Sequence, residues 1–207
     1  MQRIDMLRAL GSLTTLEDLF VTSQGAVWHD WWNCKPGGPE LDNTFFPGIL
    51  GSICSAALGL ALALPHRRVI ALDNDGSMLM NTGVLATLGA ERTPNLTVIV
   101  SDNGIYESVG GQPTLTSVNT DLARMAEGAG CINTATVREV REFTETAERF
   151  LTDGEFGFLV AKLEPGVHQW PKEKRRNVYD GIEDKFRFMR FIEKLEGTVL
   201  RSESPQD

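Results

Sequence analysis

Two short polar segments, each placed directly after an apolar and β-branched run, contain the residues best suited to chemistry. Residues 74–77 read Asn-Asp-Gly-Ser and follow the run 69–72, while residues 102–106 read Asp-Asn-Gly-Ile-Tyr and follow the run 96–100. Both segments are expected at the carboxyl ends of buried parallel strands, which is where open α/β sheets bind their ligands.

Asp75 and Asn103 are the candidate metal ligands in these segments. They lie 28 positions apart (103 − 75), which leaves room for one crossover helix between neighbouring strands. A carboxylate oxygen and an amide oxygen, placed beside glycines, suit a hard divalent cation that also carries phosphate oxygens. The spacing therefore predicts a magnesium–diphosphate site.

Length and composition favour one soluble domain. The 207 residues are enough for a sheet covered on both faces, so we expect a single domain over 1–207 with a frayed tail at 202–207. The net charge of −8 argues against nucleic acid or an anionic membrane as the main partner. The longest apolar stretch, 56–64, is too short to span a bilayer. Three widely spaced cysteines and the absence of a signal-peptide core favour the cytoplasm.

Apolar runs that alternate with helical patterns predict a three-layer α/β fold, with a mostly parallel sheet and helices on both faces. We expect an irregular loop at 24–47, and a helix that is capped by Asn119 or Thr120, runs through Gly128 and is closed by Gly130. The other predicted strands and helices are strands 19–22, 69–73, 96–101 and 158–163, and helices 1–14, 48–64, 78–91, 138–151 and 179–195.

These motifs resemble the thiamine diphosphate motif of the 2-oxo acid decarboxylases, in which Asp-Gly-Ser is followed 25–30 residues later by Asn and Gly-x-Tyr. The resemblance runs from about Leu19 to Lys162 and covers only the diphosphate-binding half of such enzymes. Residues 106–114, called the lid below, are similar to the lid of the phosphonopyruvate and sulfopyruvate decarboxylases.

By this resemblance, the Asp75 carboxylate, the Asn103 amide oxygen and the Ile105 backbone carbonyl bind Mg²⁺. Two diphosphate oxygens and one water complete the octahedral shell. Backbone N–H groups at the start of the following helix would hold phosphate oxygens. The residues that the resemblance places beside the diphosphate are Gln24, Gly25, Gly76, Ser77 and Tyr106.

A second part of the resemblance is Gly48-Ile49-Leu50-Gly51. It implies that Leu50 wedges the thiazolium and aminopyrimidine rings into a bent arrangement, and that the Gly48 carbonyl accepts a hydrogen bond from the pyrimidine amino group. A plain core position is the alternative for Leu50, and its spacing from Asp75 favours the wedge. The chain departs from the family at Asn74, which stands where a glycine is usual.

The resemblance also implies a missing half. In these enzymes a glutamate from a pyrimidine-binding domain hydrogen-bonds the aminopyrimidine, and 207 residues leave no room for that domain. We therefore expect the β subunit of a split enzyme, which joins a separate α subunit in an α2β2 or larger assembly. The expected reaction is non-oxidative decarboxylation of a small 2-oxo acid to an aldehyde, and no catalytic residue is assigned on this chain.

Several alternatives remain open from sequence alone. They are an acetolactate synthase-like or acyloin-forming carboligase subunit, a non-catalytic scaffold of the same fold, and a Rossmann-like nucleotide binder, although no G-x-G-x-x-G follows a strand. Residues 28–32, which include three tryptophans, would line the substrate pocket or, as we prefer, a subunit interface. Glu107 is a lid carboxylate or a solvated residue, and 172–176 is expected to be a solvated turn. Residues 103–119 hold no Arg or Lys, so the charge of the substrate side chain stays open.

Overall fold

The structure is a computed structural model that describes residues 1–174 and 181–199. Its centre is a parallel six-stranded sheet, and a separate antiparallel pair lies beside it. The strands are β1 (Leu19–Thr22), β2 (Thr44–Phe45), β3 (Val69–Asn74), β4 (Leu96–Asp102), β5 (Ile105–Tyr106), β6 (Gln112–Pro113), β7 (Asn133–Val137) and β8 (Gly157–Lys162). The order across the large sheet is β2-β1-β3-β4-β8-β7, and β5 pairs with β6.

Helices cover both faces of the large sheet. They are α1 (Arg3–Leu13), α2 (Ala26–Cys34), α3 (Ile53–Ala63), α4 (Asp75–Leu79), α5 (Val84–Glu91), α6 (Leu122–Gly128), α7 (Val140–Thr152) and α8 (Gly181–Glu196). One hydrophobic core joins the sheet to α3, α5, α6 and α8, and a second joins it to α1, α2 and α7.

Strand β3 shows why the apolar runs fold in this way. Val69 and Ala71 pack into the first core, whereas Ile70 and Leu72 pack into the second. Successive side chains of a strand point to opposite faces, so a continuous apolar run is stable only where both faces are covered. The predicted three-layer α/β class is confirmed.

The four predicted strands are confirmed, with bounds shifted by one residue at most. Two edge strands, β2 and β7, were not predicted. β2 has only two residues, and β7 reads Asn-Thr-Ala-Thr-Val, with its first three residues half-buried and the fourth exposed. A polar, partly solvated edge strand lacks the apolar signal that marks the central strands.

Three predictions of local structure are wrong. The expected loop at 24–47 contains α2. The expected helix 48–64 begins only at Ile53, because Gly48 and Gly51 have φ of 74° and 77°, which a right-handed helix excludes. The expected helix 78–91 is two helices, α4 and α5, separated by a turn.

The start of α6 also differs from expectation. Asp121, rather than Asn119 or Thr120, caps this helix, since its carboxylate accepts a hydrogen bond from the Arg124 backbone N–H. Gly130 follows the helix with φ of 102°, as its predicted role in ending the helix requires.

The carboxyl-terminal predictions are only partly covered. The helix expected at 179–195 corresponds to α8, while residues 179–180 and the expected frayed tail at 202–207 lie outside the described residues. The turn expected at 172–176 is a short 3-10 turn at Lys172–Lys174, and residues 175–176 are not described. Within 1–174 and 181–199, no helix has the length and apolar character needed to cross a bilayer. The single-domain assignment for 1–207 stays a prediction.

Candidate cofactor-binding site

One cleft lies at the carboxyl ends of β1, β3 and β4 and brings together nine of the ten predicted site residues. Gly48, the exception, is exposed on the turn that precedes Leu50. The predicted residues that line the cleft are Gln24, Gly25, Leu50, Asp75, Gly76, Ser77, Asn103, Ile105 and Tyr106.

Asp75 is the buried carboxylate at the base of the cleft and the first residue of α4. Its Oδ2 atom accepts hydrogen bonds from the Thr114 hydroxyl at 2.5 Å and the Thr116 hydroxyl at 3.0 Å. Burial raises the pKa of Asp75, and the nearby charge of Asp102 raises it further. A bound cation would offset both effects because it favours the charged form. The carboxylate is therefore oriented by hydrogen bonds and placed in an environment suited to a cation.

Asn103 begins a tight turn at the end of β4. Its Oδ1 atom accepts a hydrogen bond from the Ile105 N–H at 3.2 Å, and Gly104 has φ of 72°. The Gly104 carbonyl accepts a hydrogen bond from the Thr114 N–H at 2.8 Å, beside the β5–β6 pair. The turn therefore fixes the Asn103 amide and the Ile105 backbone in one rigid loop under the lid.

Tyr106 packs directly on Gly76. A Cβ atom added at residue 76 would lie 2.5 Å from Cε1 of the Tyr106 ring, so this contact requires glycine. The ring therefore covers the first turn of α4. Because α4 has only five residues, its end effect on an anion is smaller than that of the long helix expected from sequence.

Two hydrogen bonds connect the turn that carries Leu50 to the segment after β3. The Gly51 N–H donates to the Ser77 hydroxyl at 3.0 Å, and the Asn81 amide donates to the Gly51 carbonyl at 2.8 Å. Leu50 is half-buried, lines the cleft and belongs to neither core. The alternative that Leu50 is a core residue is therefore wrong.

Asn74, the residue that departs from the family pattern, fits its place. Its backbone is extended, with φ of −106°, which any residue adopts. Its side-chain amide donates to the Gln24 carbonyl at 2.9 Å. Gly25 follows with φ of 91° and ψ of −153°, a conformation that favours glycine. The side chain at position 74 thus ties the end of β1 to the end of β3.

Two further buried carboxylates flank Asp75 and were not predicted as site residues. Burial raises the pKa of Asp73 to about 6, against hydrogen bonds that include one from the Asn74 N–H at 2.9 Å. Asp102 forms an ion pair with Lys162, with 2.5 Å between Oδ2 and Nζ. The positions of both acids in the strand-end motifs were a usable signal, since each precedes a predicted ligand by one or two residues.

Arg3, from the first helix, also reaches the cleft. It is buried and pairs with Asp30 of α2 at 2.9 Å and with Glu107 of the lid at 3.0 Å, and its third nitrogen donates to the Gly166 carbonyl. Glu107 is therefore an ion-paired lid carboxylate and not a solvated one. No local motif marks Arg3, because its partners lie 27, 104 and 163 positions away.

The expectation that the tryptophans of α2 line a substrate pocket or a subunit interface is wrong. Trp28, Trp31 and Trp32 are at most 3% exposed within this single chain, so they line neither a pocket nor an interface. His29, on the same helix, is exposed and lines a neighbouring cavity of about 440 Å³, which shares Gly25, Ala26, Glu107 and Ser108 with the cleft.

Comparison with known proteins gives consistent matches. Residues 23–161 match the family described as "Thiamine pyrophosphate enzyme, C-terminal TPP binding domain". The chain is 30% identical over 194 residues to the sulfopyruvate decarboxylase subunit beta of Methanocaldococcus jannaschii, which covers 93% of this chain and 98% of that one. It is 45% identical over 92 residues to the phosphonopyruvate decarboxylase of Streptomyces viridochromogenes, covering 44% of this chain and 23% of that protein.

Solved structures share the fold. The thiamine diphosphate-dependent 4-hydroxybenzoylformate decarboxylase of Rhodococcus jostii aligns with a TM-score of 0.69 at 19% identity, over 81% of this chain and 33% of that one. The present chain thus spans nearly all of a curated β subunit but only a third of this decarboxylase chain.

Proposed function

The chain belongs to the thiamine pyrophosphate (thiamine diphosphate) enzymes through their C-terminal TPP-binding domain, and we propose that it is the β subunit of a split decarboxylase that acts on a small 2-oxo acid. The observation that carries this proposal is the length match: a relative named as a β subunit is covered almost completely, whereas two decarboxylases named without a subunit are covered by about a third or less.

Asp75, Asn103 and the backbone carbonyl of Ile105 are the proposed Mg²⁺ ligands. Their shared position in one cleft supports the assignment. In the part of the chain that the structure describes, no group of three or more His, Cys, Asp and Glu side chains could hold a metal. A cation here would therefore need further oxygens from diphosphate and water, as Mg²⁺ commonly does.

The remaining proposed contacts surround the diphosphate and the two rings. Backbone N–H groups of Gly76 and Ser77 would hold phosphate oxygens, and Tyr106 would border them. Leu50 would support the bent rings, a role that its place in the cleft favours, and the Gly48 carbonyl would accept a bond from the pyrimidine amino group. Gln24 and Gly25 would border the diphosphate from the end of β1. When bound, thiamine diphosphate supplies the electron sink for loss of carbon dioxide, while this chain supplies position and exclusion of water.

The partner would be a separate pyrimidine-binding α subunit that supplies the activating glutamate. Assembly as α2β2 or larger follows as part of the proposal, because a complete site needs both kinds of domain. A reducing, cytoplasmic location is supported by three unpaired cysteines, two of them buried.

Replacing Asp75 tests the site. Asp75→Ala is expected to abolish Mg²⁺-dependent binding of thiamine diphosphate, because it removes the only carboxylate among the proposed ligands. Isothermal titration calorimetry of thiamine diphosphate into the full chain with magnesium chloride measures this. Asp153→Ala, at an exposed position after α7, is the matched control and should bind as the wild type does. Equal binding by Asp75→Ala would contradict the assignment.

A further inference from the structure

Two buried carboxylates lie within hydrogen-bond distance of the same threonine hydroxyl group. The Thr116 hydroxyl oxygen lies 3.0 Å from Oδ2 of Asp75 and 2.8 Å from Oδ1 of Asp102. Both carboxylates are at most 2% exposed. Two like charges this close repel each other in a poorly solvated environment.

Both oxygens of the Asp102 carboxylate nevertheless have protein partners. Its Oδ1 atom accepts hydrogen bonds from Thr116 and from the Gly104 N–H at 3.2 Å, and its Oδ2 atom pairs with Lys162 at 2.5 Å. Lys162 is the last residue of β8, which pairs with β4, so Lys162 lies directly opposite Asp102 in the sheet register. The strand pairing itself therefore holds the two charges together.

We propose that Lys162 is a positioning residue for the Mg²⁺ site, because it neutralises Asp102 and keeps that carboxylate bonded to Thr116 and to the Gly104 turn instead of to the cation. The inference rests on the proposed function. Asp102 in turn holds Thr116, whose hydroxyl oxygen also lies 3.0 Å from Asp75, and holds the Gly104 turn, which carries the other two proposed ligands. Outer residues of this kind set metal affinity by a factor of about 10–100.

Loss of Lys162 would leave a buried carboxylate without its counter-ion, one residue before Asn103. That carboxylate gains most by turning to the nearest cation, which would crowd the octahedral shell that Mg²⁺ requires. Ca²⁺ accepts six to eight oxygens in a flexible arrangement and tolerates an added carboxylate. Lys162 is therefore expected to favour Mg²⁺ over Ca²⁺, an effect that a merely structural ion pair would not produce.

The test measures the Mg²⁺ and Ca²⁺ affinities of the full chain by calorimetry, with thiamine diphosphate present. Lys162→Met is expected to weaken Mg²⁺ binding about 10–100-fold and to weaken Ca²⁺ binding much less. Lys162→Arg keeps the charge and should stay near the wild type. The double variant K162M/D102N removes both charges and should recover most of the Mg²⁺ affinity, since an amide still accepts from Thr116 and Gly104.

Arg68→Met is the matched control, because Arg68 pairs with the buried Asp18 near the opposite, amino-terminal end of the strands. It should lower the melting temperature without changing the ratio of Mg²⁺ to Ca²⁺ affinity. Equal loss for both cations in Lys162→Met, no loss at all, or no recovery in the double variant would each overturn the inference. If the wild-type chain itself binds no thiamine diphosphate, the proposed function fails with it. If the wild type binds and Lys162→Met binds equally, only the role of Lys162 fails.

Discussion

Single buried acids determine how this cleft responds to pH, and Asp73 is the best example. It is 1% exposed at the end of β3, and the Cys54 thiol lies 3.9 Å from its Oδ2 atom. Its pKa is raised from 3.8 to about 6 because burial disfavours the charge. The folded state therefore holds this proton more tightly than the unfolded state does. The resulting stabilisation is complete below about pH 4 and is lost as the pH rises through about 6.

Asp73→Asn is expected to remove this pH dependence. At about 1.4 kcal/mol per unit, the shift corresponds to roughly 3 kcal/mol. The free energy of unfolding of the variant, relative to the wild type, should therefore increase by up to that amount between pH 4 and pH 7.5. Urea unfolding of the metal-free chain at both pH values measures the difference. Asp153→Asn, exposed after α7, serves as the control, and a difference for Asp73→Asn that stays constant with pH would contradict the argument.

Residue types and spacing were enough to find the centre of the site but not its surroundings. Asp75, Asn103 and Gly76 stand in strand-end motifs, so the sequence places them at one edge of the sheet. Arg3 and Lys162 reach the same place only through tertiary contacts, and their partners are 27 to 163 positions away. No local pattern records such a contact.

At the scale of secondary structure, close helix approach depends on particular glycines. Gly89, in the last turn of α5, is pressed against the end of α6: an added Cβ would lie 2.1 Å from the Ala129 carbonyl oxygen. Gly59, in α3, has no atom within 4 Å of the same position. The two residues have the same helical setting and opposite surroundings.

Gly89→Ala is expected to destabilise the chain by about 1–3 kcal/mol or more, because backbone atoms would have to move apart. Gly59→Ala should instead stabilise it by roughly 0.5–1 kcal/mol, since alanine loses less conformational entropy in a helix. Urea midpoints of the two variants measure both effects. Similar effects of the same sign would show that the α5–α6 contact is not tight.

The elements themselves were predicted unevenly, for physical reasons. The central strands β3 and β4 are buried on both faces, so their apolar runs stand out. The edge strand β7 is stabilised mainly by its pairing with β8, and its sequence resembles a polar loop. Gln24 to Pro47 was expected to be irregular because it is rich in Gly and Pro, yet α2 forms there around buried tryptophans.

At the scale of the whole molecule, the proposed function makes catalytic turnover depend on the α subunit. The isolated chain is expected to bind thiamine diphosphate with Mg²⁺ but to turn over no 2-oxo acid, because it lacks the proposed glutamate of the α subunit. Added partner should restore release of carbon dioxide and aldehyde, which a coupled aldehyde assay measures. Turnover by this chain alone would refute the split arrangement, and accumulation of an acyloin product instead of aldehyde would favour the carboligase reading.

The contacts of Arg3 also determine when the amino-terminal helix can dock during synthesis of the chain. Residue 3 contacts residues 107 and 166, and the Met1 carbonyl accepts a hydrogen bond from the Glu164 N–H. The link to residue 107 can form once β4 and the lid have been made, whereas the links to residues 164 and 166 require every strand of the large sheet to be synthesised first. The amino-terminal helix is therefore tied down in two stages during translation, and the second stage comes only after β8.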